Sequence, residues 1–97
     1  MMMTSISKID LPSSVASLAS RECGSAALAS MLAELQTSEV LEIDFGGQVP
    51  TPSFADQSIG NLAKTLGVAA FRQRVRLLNV PESARLLIRH VILKSAS

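Results

Sequence analysis

The stretch VLEIDFGGQVPTPSFADQSIG, residues 40–60, joins a strand, a turn and a helix start, and the fold depends on how these three are read. Leu41, Ile43 and Phe45 alternate with Val40, Glu42 and Asp44, the period of two that lets a strand bury one face. Gly46 and Gly47 end that strand. Pro50 and Pro52 stiffen the loop beyond it, because proline has no N–H to give to a regular element. Ser53 then stands where a helix N-cap belongs, with Asp56 three residues on as the second half of a capping box. The helix predicted from there carries Phe54, Ile59, Leu62, Ala63 and Leu66 on its buried side. Gly67 supplies the left-handed residue that closes it.

Toward the N-terminus, residues 21–36 place Leu28, Met31, Leu32 and Leu35 at i, i+3, i+4 and i+7, an amphipathic helix. Residues 12–20 read as a turn, and Ile6, Ile9 and Leu11 within 5–11 as a short first strand. In the other direction, residues 71–80 alternate Phe71, Gln73, Val75 and Leu77 with Arg72, Arg74, Arg76 and Leu78, which predicts a strand with one basic face. Pro81 suits the first position of a last helix, whose Ala84, Leu87, Ile88, Val91 and Ile92 keep helical spacing. Arg85, Arg89 and Lys94 fall toward its C-terminal half, where the helix dipole favours cations. The order is β-α-β-α-β-α. It predicts one small α/β domain over 1–97, with residues 1–4 flexible. Its sheet has three to four strands with parallel neighbours, and right-handed crossovers put the helices mainly on one face. The uncovered face or an edge is then the expected place for an apolar partner surface.

A chain of 97 residues buries roughly 65% of its unfolded surface, enough for one core. With 47% hydrophobic and 18% charged residues it reads as folded, and its apolar excess points to a partner or to a homo-oligomer. The net charge of +1 gives no overall field for nucleic acid or an anionic membrane. No apolar run approaches the roughly 20 residues of a membrane span, and MMMTSISKID lacks the pattern of a signal peptide, so a cytoplasmic protein is expected.

The chemistry the residues offer is sparse. One cysteine, Cys23, and one histidine, His90, form no metal-ligand cluster, and they form a nucleophilic pair only if the first and last helices bring them together. DFGGQVPTPS puts glycines before a helix but lacks both nucleotide-binding glycine patterns. No cofactor and no enzymatic activity are expected. The Arg72, Arg74 and Arg76 stripe reads first as a solvated face. Its second reading is a contact for an acidic protein patch, and its third, with no Trp or Tyr for base stacking, a phosphate contact. Ser53 reads first as a cap. The unpaired N–H groups that make it one also suit a phosphate added there.

LASRECGSAAL, VLEIDFGGQ and TPSFADQSIGNLAKTLG together resemble the bacterial STAS-like domain family of unknown function, over roughly residues 18–93. The family's Arg-x-x-Gly falls on Arg21 and Gly24, its Asp-Phe on Asp44 and Phe45, and its Ser-Phe-Ala-Asp on Ser53, Phe54, Ala55 and Asp56. The motif commonly continues with Glu where this chain has Gln57, so one carboxylate is missing. More distantly the segment is similar to the STAS anti-sigma factor antagonists. Their phosphorylatable serine sits in an Asp-Ser-Ser-Gly or Asp-Thr-Ser-Gly turn at the corresponding helix start, whereas this chain reads TPSFAD.

The resemblance implies a non-enzymatic, partner-switching regulator, with Ser53 as candidate phosphoacceptor. The contact surface would include Gly46, Gly47, Ser53, Phe54, Asp56 and Gln57. It also implies a protein partner, a histidine-kinase-type ATP-binding regulator. The alternative is a structural or assembly subunit, antitoxin-like or part of a defence system, with no phospho-switch.

Overall fold

A computed structural model describes residues 4–96, so the expected flexible start at 1–4 lies, apart from Thr4, outside them. Three parallel strands form the sheet, β1 (Ile6–Asp10), β2 (Val40–Asp44) and β3 (Val75–Leu78), in the order β1-β2-β3. Ile9, Ile43 and Leu77 lie in register across it. The short helix α1 (Leu11–Ser14) comes directly after β1, and α2 (Arg21–Thr37) crosses from β1 to β2. The second crossover contains α3 (Pro52–Ala55), a π turn (Asp56–Gly60), α4 (Asn61–Leu66) and α5 (Val68–Arg74). After β3 a 3₁₀ turn (Glu82–Ala84) leads into α6 (Arg85–Ala96). Two right-handed crossovers that advance the same way along a sheet lie on the same face, and burial obeys that rule. Leu41, Ile43, Phe45, Ile9 and Val75 are buried under the helices.

The middle of the other face of the sheet is charged. Lys8 pairs with Asp44 at 3.5 Å and Arg76 with Glu42 at 3.8 Å, on side chains that alternate with the buried set. The middle of the open face is therefore polar, with the exposed Ile6 on the edge strand β1 at one end of it. A side chain one step along a strand points to the opposite face, so the polar half of each alternating strand meets solvent.

The predicted strand over 71–80 is shorter than expected. Residues 68–74 are helical, and only Val75–Leu78 join the sheet. Alternation from Phe71 is also compatible with a single helical turn that buries Phe71, and β2, at five residues, has partners only for 75–78. The three arginines consequently do not form a stripe. Arg72 is exposed on α5, and Arg76 pairs across the open face. Arg74 ends α5 and turns its guanidinium to the C-terminus of α2. Its Nη2 donates to the carbonyls of Leu35 (2.7 Å) and Ser38 (3.0 Å), and its Nε to that of Glu39 (3.0 Å). It thus satisfies carbonyls that α2 leaves open and sets a cation at the negative end of the helix. Pro81 precedes the 3₁₀ turn rather than opening the last helix.

Arg74→Ala is expected to lower stability by about 2 kcal/mol, the scale for hydrogen bonds to a charged group. Arg72→Ala should stay within about 0.5 kcal/mol of the parent, as for a surface side chain with no polar partner among the described residues. Urea unfolding midpoints of the two variants check the pair.

Candidate functional site

In a parallel β-α sheet every helix that comes after a strand starts at the carboxyl edge, and residues from separate parts of the chain meet there. The starts of α2, α3 and α6 and the turn after β2 all belong to this edge. Phe45 to Gln48 form a tight turn in which the Gln48 N–H donates to the Phe45 carbonyl at 3.0 Å. Gly46 and Gly47 both have positive φ, +61° and +74°, the geometry of a type I′ turn that few other residues accept.

Asp44 holds this edge together. Its Oδ1 accepts from the Gly46 N–H at 2.7 Å and from Asn79 Nδ2 at 2.9 Å, and its Oδ2 faces Lys8. Asn79, directly after β3, takes φ +53°, which asparagine tolerates better than most residues. One carboxylate thus ties β1, the β2 turn and the end of β3. The Asn79 amide, and after it the Gly46 N–H, hold the Asp44 carboxyl below its ordinary value of 3.8. A shallow depression lined by Asp44, Gly46, Gly47, Asn79, Val80 and Pro81 lies over this point.

Thr51 is the N-cap of α3. Its hydroxyl accepts from the Phe54 N–H at 3.2 Å and donates to the Ala19 carbonyl at 2.9 Å, and its own N–H donates to the Leu18 carbonyl. Ser20 caps α2 in the same way, accepting from the Cys23 N–H at 3.0 Å. The two helix starts are thereby stitched side by side. The assignment of Ser53 as N-cap is corrected: two prolines flank Thr51, and Pro52 takes the first helical position, so the cap falls one residue before it. Ser53 lies in the first turn, exposed, and its hydroxyl has no hydrogen-bond partner among the described residues. Asp56 does not complete a capping box either. It faces Lys94 of α6 at 3.7 Å.

The chain segments that carry the family resemblance meet at this edge. A Cβ added at Gly24 would stand 2.8 Å from Gln57 Cβ and 3.0 Å from the Phe54 carbonyl oxygen, so α2 touches the 52–60 segment backbone to backbone. Phe54 and Ala55 are fully buried there, as is Phe45. Gln57 Oε1 accepts from the Ser25 hydroxyl (3.4 Å) and from Asn61 Nδ2 (3.3 Å). An amide at position 57 therefore joins α2 to α4 without a charge. Arg21 is exposed at the first position of α2.

Nothing in the sequence pattern marks the π turn. The Asn61 N–H reaches back five residues to the Asp56 carbonyl, and the buried Ser58 hydroxyl donates to the Phe54 carbonyl at 2.7 Å. Such turns insert one residue into a helix and rotate the residues beyond it.

Cys23 and His90 sit on helices that each pack against the 52–66 segment, and no hydrogen bond joins them. Hydrogen bonding from the Ser20 side chain and the Ser17 backbone lowers the Cys23 thiol from its usual 9.0. Among the described residues no group of acidic, histidine or cysteine side chains could hold a metal ion, and no helix is long and apolar enough to cross a membrane. No family model, curated protein or solved structure matches the chain, so the STAS-like resemblance rests on its motif residues alone.

A carboxyl whose folded value lies below its unfolded one stabilises the fold fully above about pH 4 and loses that contribution as the pH falls through the lowered value. Stability of the parent should therefore decline on acidification below about pH 4. Asp44→Asn cannot titrate. It should be less stable at neutral pH and decline less over the acid range, as measured by denaturant midpoints across a pH series.

Proposed function

We propose that the chain is a non-enzymatic, STAS-like regulatory module of the cytoplasm that binds a protein partner through its carboxyl edge, with Ser53 as the residue that switches binding. The observation that carries this reading is the separation of two duties. Thr51 caps the helix, while Ser53, in the first turn of the same element, is exposed with a hydroxyl that bonds nothing among the described residues. A phosphate on Ser53 would therefore break no capping hydrogen bond.

The partner in this reading is a histidine-kinase-type ATP-binding regulator, as the family resemblance implies. The Ser53 hydroxyl oxygen attacks the γ-phosphorus of ATP, the bond to the β-γ bridging oxygen breaks, ADP leaves and the hydroxyl proton passes to solvent. The product places about −1.5 to −2 charges at the first turn of α3, on the same edge as Gly46, Gly47 and the exposed Arg21. The positive end of the helix favours the added phosphate. Asp56, the nearest carboxylate of the motif, is engaged with Lys94. A contact surface that fitted the neutral edge would then meet a charge.

Two measurements test this. Thr51→Ala should cost about 1 kcal/mol of stability and Ser53→Ala less than about 0.5 kcal/mol, because only the first removes a cap. Incubating the chain with the ATP-binding regulator and magnesium ATP should add one phosphate, mapped to Ser53. Ser53→Asp should change partner affinity at least about tenfold. An unmodified Ser53 together with unchanged affinity of the aspartate variant rules the switch out.

A further inference from the structure

Between α5, the end of β3 and α6 runs a groove of about 770 Å³. Phe71, Leu77, Ile88 and Ile92 make its floor, with Leu93, 46% exposed, at one end. Its rim holds three guanidinium groups, Arg72 from α5 and Arg85 and Arg89 from α6. All three are exposed, and among the described residues none makes a salt bridge or a hydrogen bond. Arg74 and Arg76, by contrast, are both engaged within the fold.

Arg85 and Arg89 stand four residues apart on one helix, a like-charge arrangement that destabilises it, and Arg72 adds a third positive charge from across the groove. Glu82, three residues before Arg85, is not within ion-pair distance of it. The fold therefore gathers three cations around an apolar floor and, among the described residues, gives none of them a carboxylate within ion-pair distance. An occupant with apolar residues and carboxylates would supply one.

The positions of the charges say what kind of occupant fits. Arg85 to Leu93 offers about 12 Å of groove at 1.5 Å per residue, roughly two turns of a helix laid along it. Arg85 and Arg89 stem from positions one helical turn apart on α6, and Arg72 stems from α5, a spacing that matches carboxylates set along a helix. We infer that the groove docks an acidic amphipathic helix of a partner protein. Its apolar stripe would sit on Phe71, Leu77, Ile88 and Ile92, and its Asp and Glu residues would pair with Arg72, Arg85 and Arg89. The inference rests on the proposed function only in taking the partner to be a protein. Its residues are separate from Ser53.

The test uses the full chain and a synthetic helical peptide with Leu at i, i+3, i+4 and i+7 flanked by Glu. A peptide with Lys for Glu, a scrambled acidic peptide and laurate serve as the other arms. The acidic peptide should bind, shift the amide resonances of residues lining the groove, and weaken at least tenfold in the Arg85→Ala/Arg89→Ala variant. Arg89→Glu should lose the acidic peptide and gain the Lys one, which keeps the test informative if the double variant is poorly folded. The inference falls if the acidic peptide does not bind, if its scramble binds equally, or if the double variant binds it unchanged. Laurate binding with the same arginine dependence, and no peptide binding, would assign the groove to a small amphipathic anion instead. Ser53→Asp should leave peptide affinity unchanged, so failure of the groove and failure of the switch are read separately.

Discussion

The contact of α2 with the 52–60 segment at Gly24 is the constraint on which the carboxyl edge depends. With a side chain at that position, a Cβ would lie 2.8 Å from Gln57 Cβ, inside any real contact distance. Because Gly24 has none, the two helix starts come together closely enough for Thr51 to reach the Leu18 and Ala19 backbone and for Gln57 to reach Ser25. Gly60 does the same on the side of α6, where a Cβ would lie 2.6 Å from Val91 Cγ1. The 52–66 segment is thus wedged against both neighbours through glycine contacts. Phe54, Ile59 and Leu62 are buried with no solvent exposure as a result. Interiors this tightly packed accept little added volume, so the geometry of the carboxyl edge is inherited from that wedge.

The arginines show how one residue type takes different tasks according to the surface it meets. Arg74 is a cap for α2, Arg76 is half of an ion pair on the solvent face of the sheet, and Arg72 rims an apolar groove. On the open face Lys8 and Arg76 already have carboxylates beside them, as suits a surface that meets water. In the groove the cations have no ion-pair partner among the described residues. A cluster of like charges over an apolar floor carries a cost that an occupant of opposite charge would relieve. The sheet face carries no such cost, so it gives a partner less to gain.

Much of the architecture was legible because its signals are local. Alternation over 40–45 and the four-residue spacings in 21–36 and 84–92 report which side of an element meets the core, and both helices and the central strand occur where those patterns place them. The end of the strand at Gly46 and Gly47 was legible too, while the positive φ of both is seen only in the fold. The motif segments carried the site only as a set of separate words. That Gly24 touches Phe54 and Gln57, thirty residues away, depends on the crossover between them.

Spacing within a few residues is enough to specify the β-α alternation and the amphipathic faces. Long-range contacts settled the places where such short-range signals were ambiguous. Residues 71–74 can alternate as a strand or bury Phe71 as a helix, and the helix won because β2 pairs only with 75–78 and the open carbonyls of α2 take Arg74. Thr51 and Ser53 are both good caps by residue type; Pro52 at the first helical position puts the cap on Thr51, whose hydroxyl also reaches the Ala19 carbonyl across the interface. The helix at 71–74 and the reach of Thr51 to Ala19 depend on contacts between residues far apart in the chain, and no local pattern encodes those contacts.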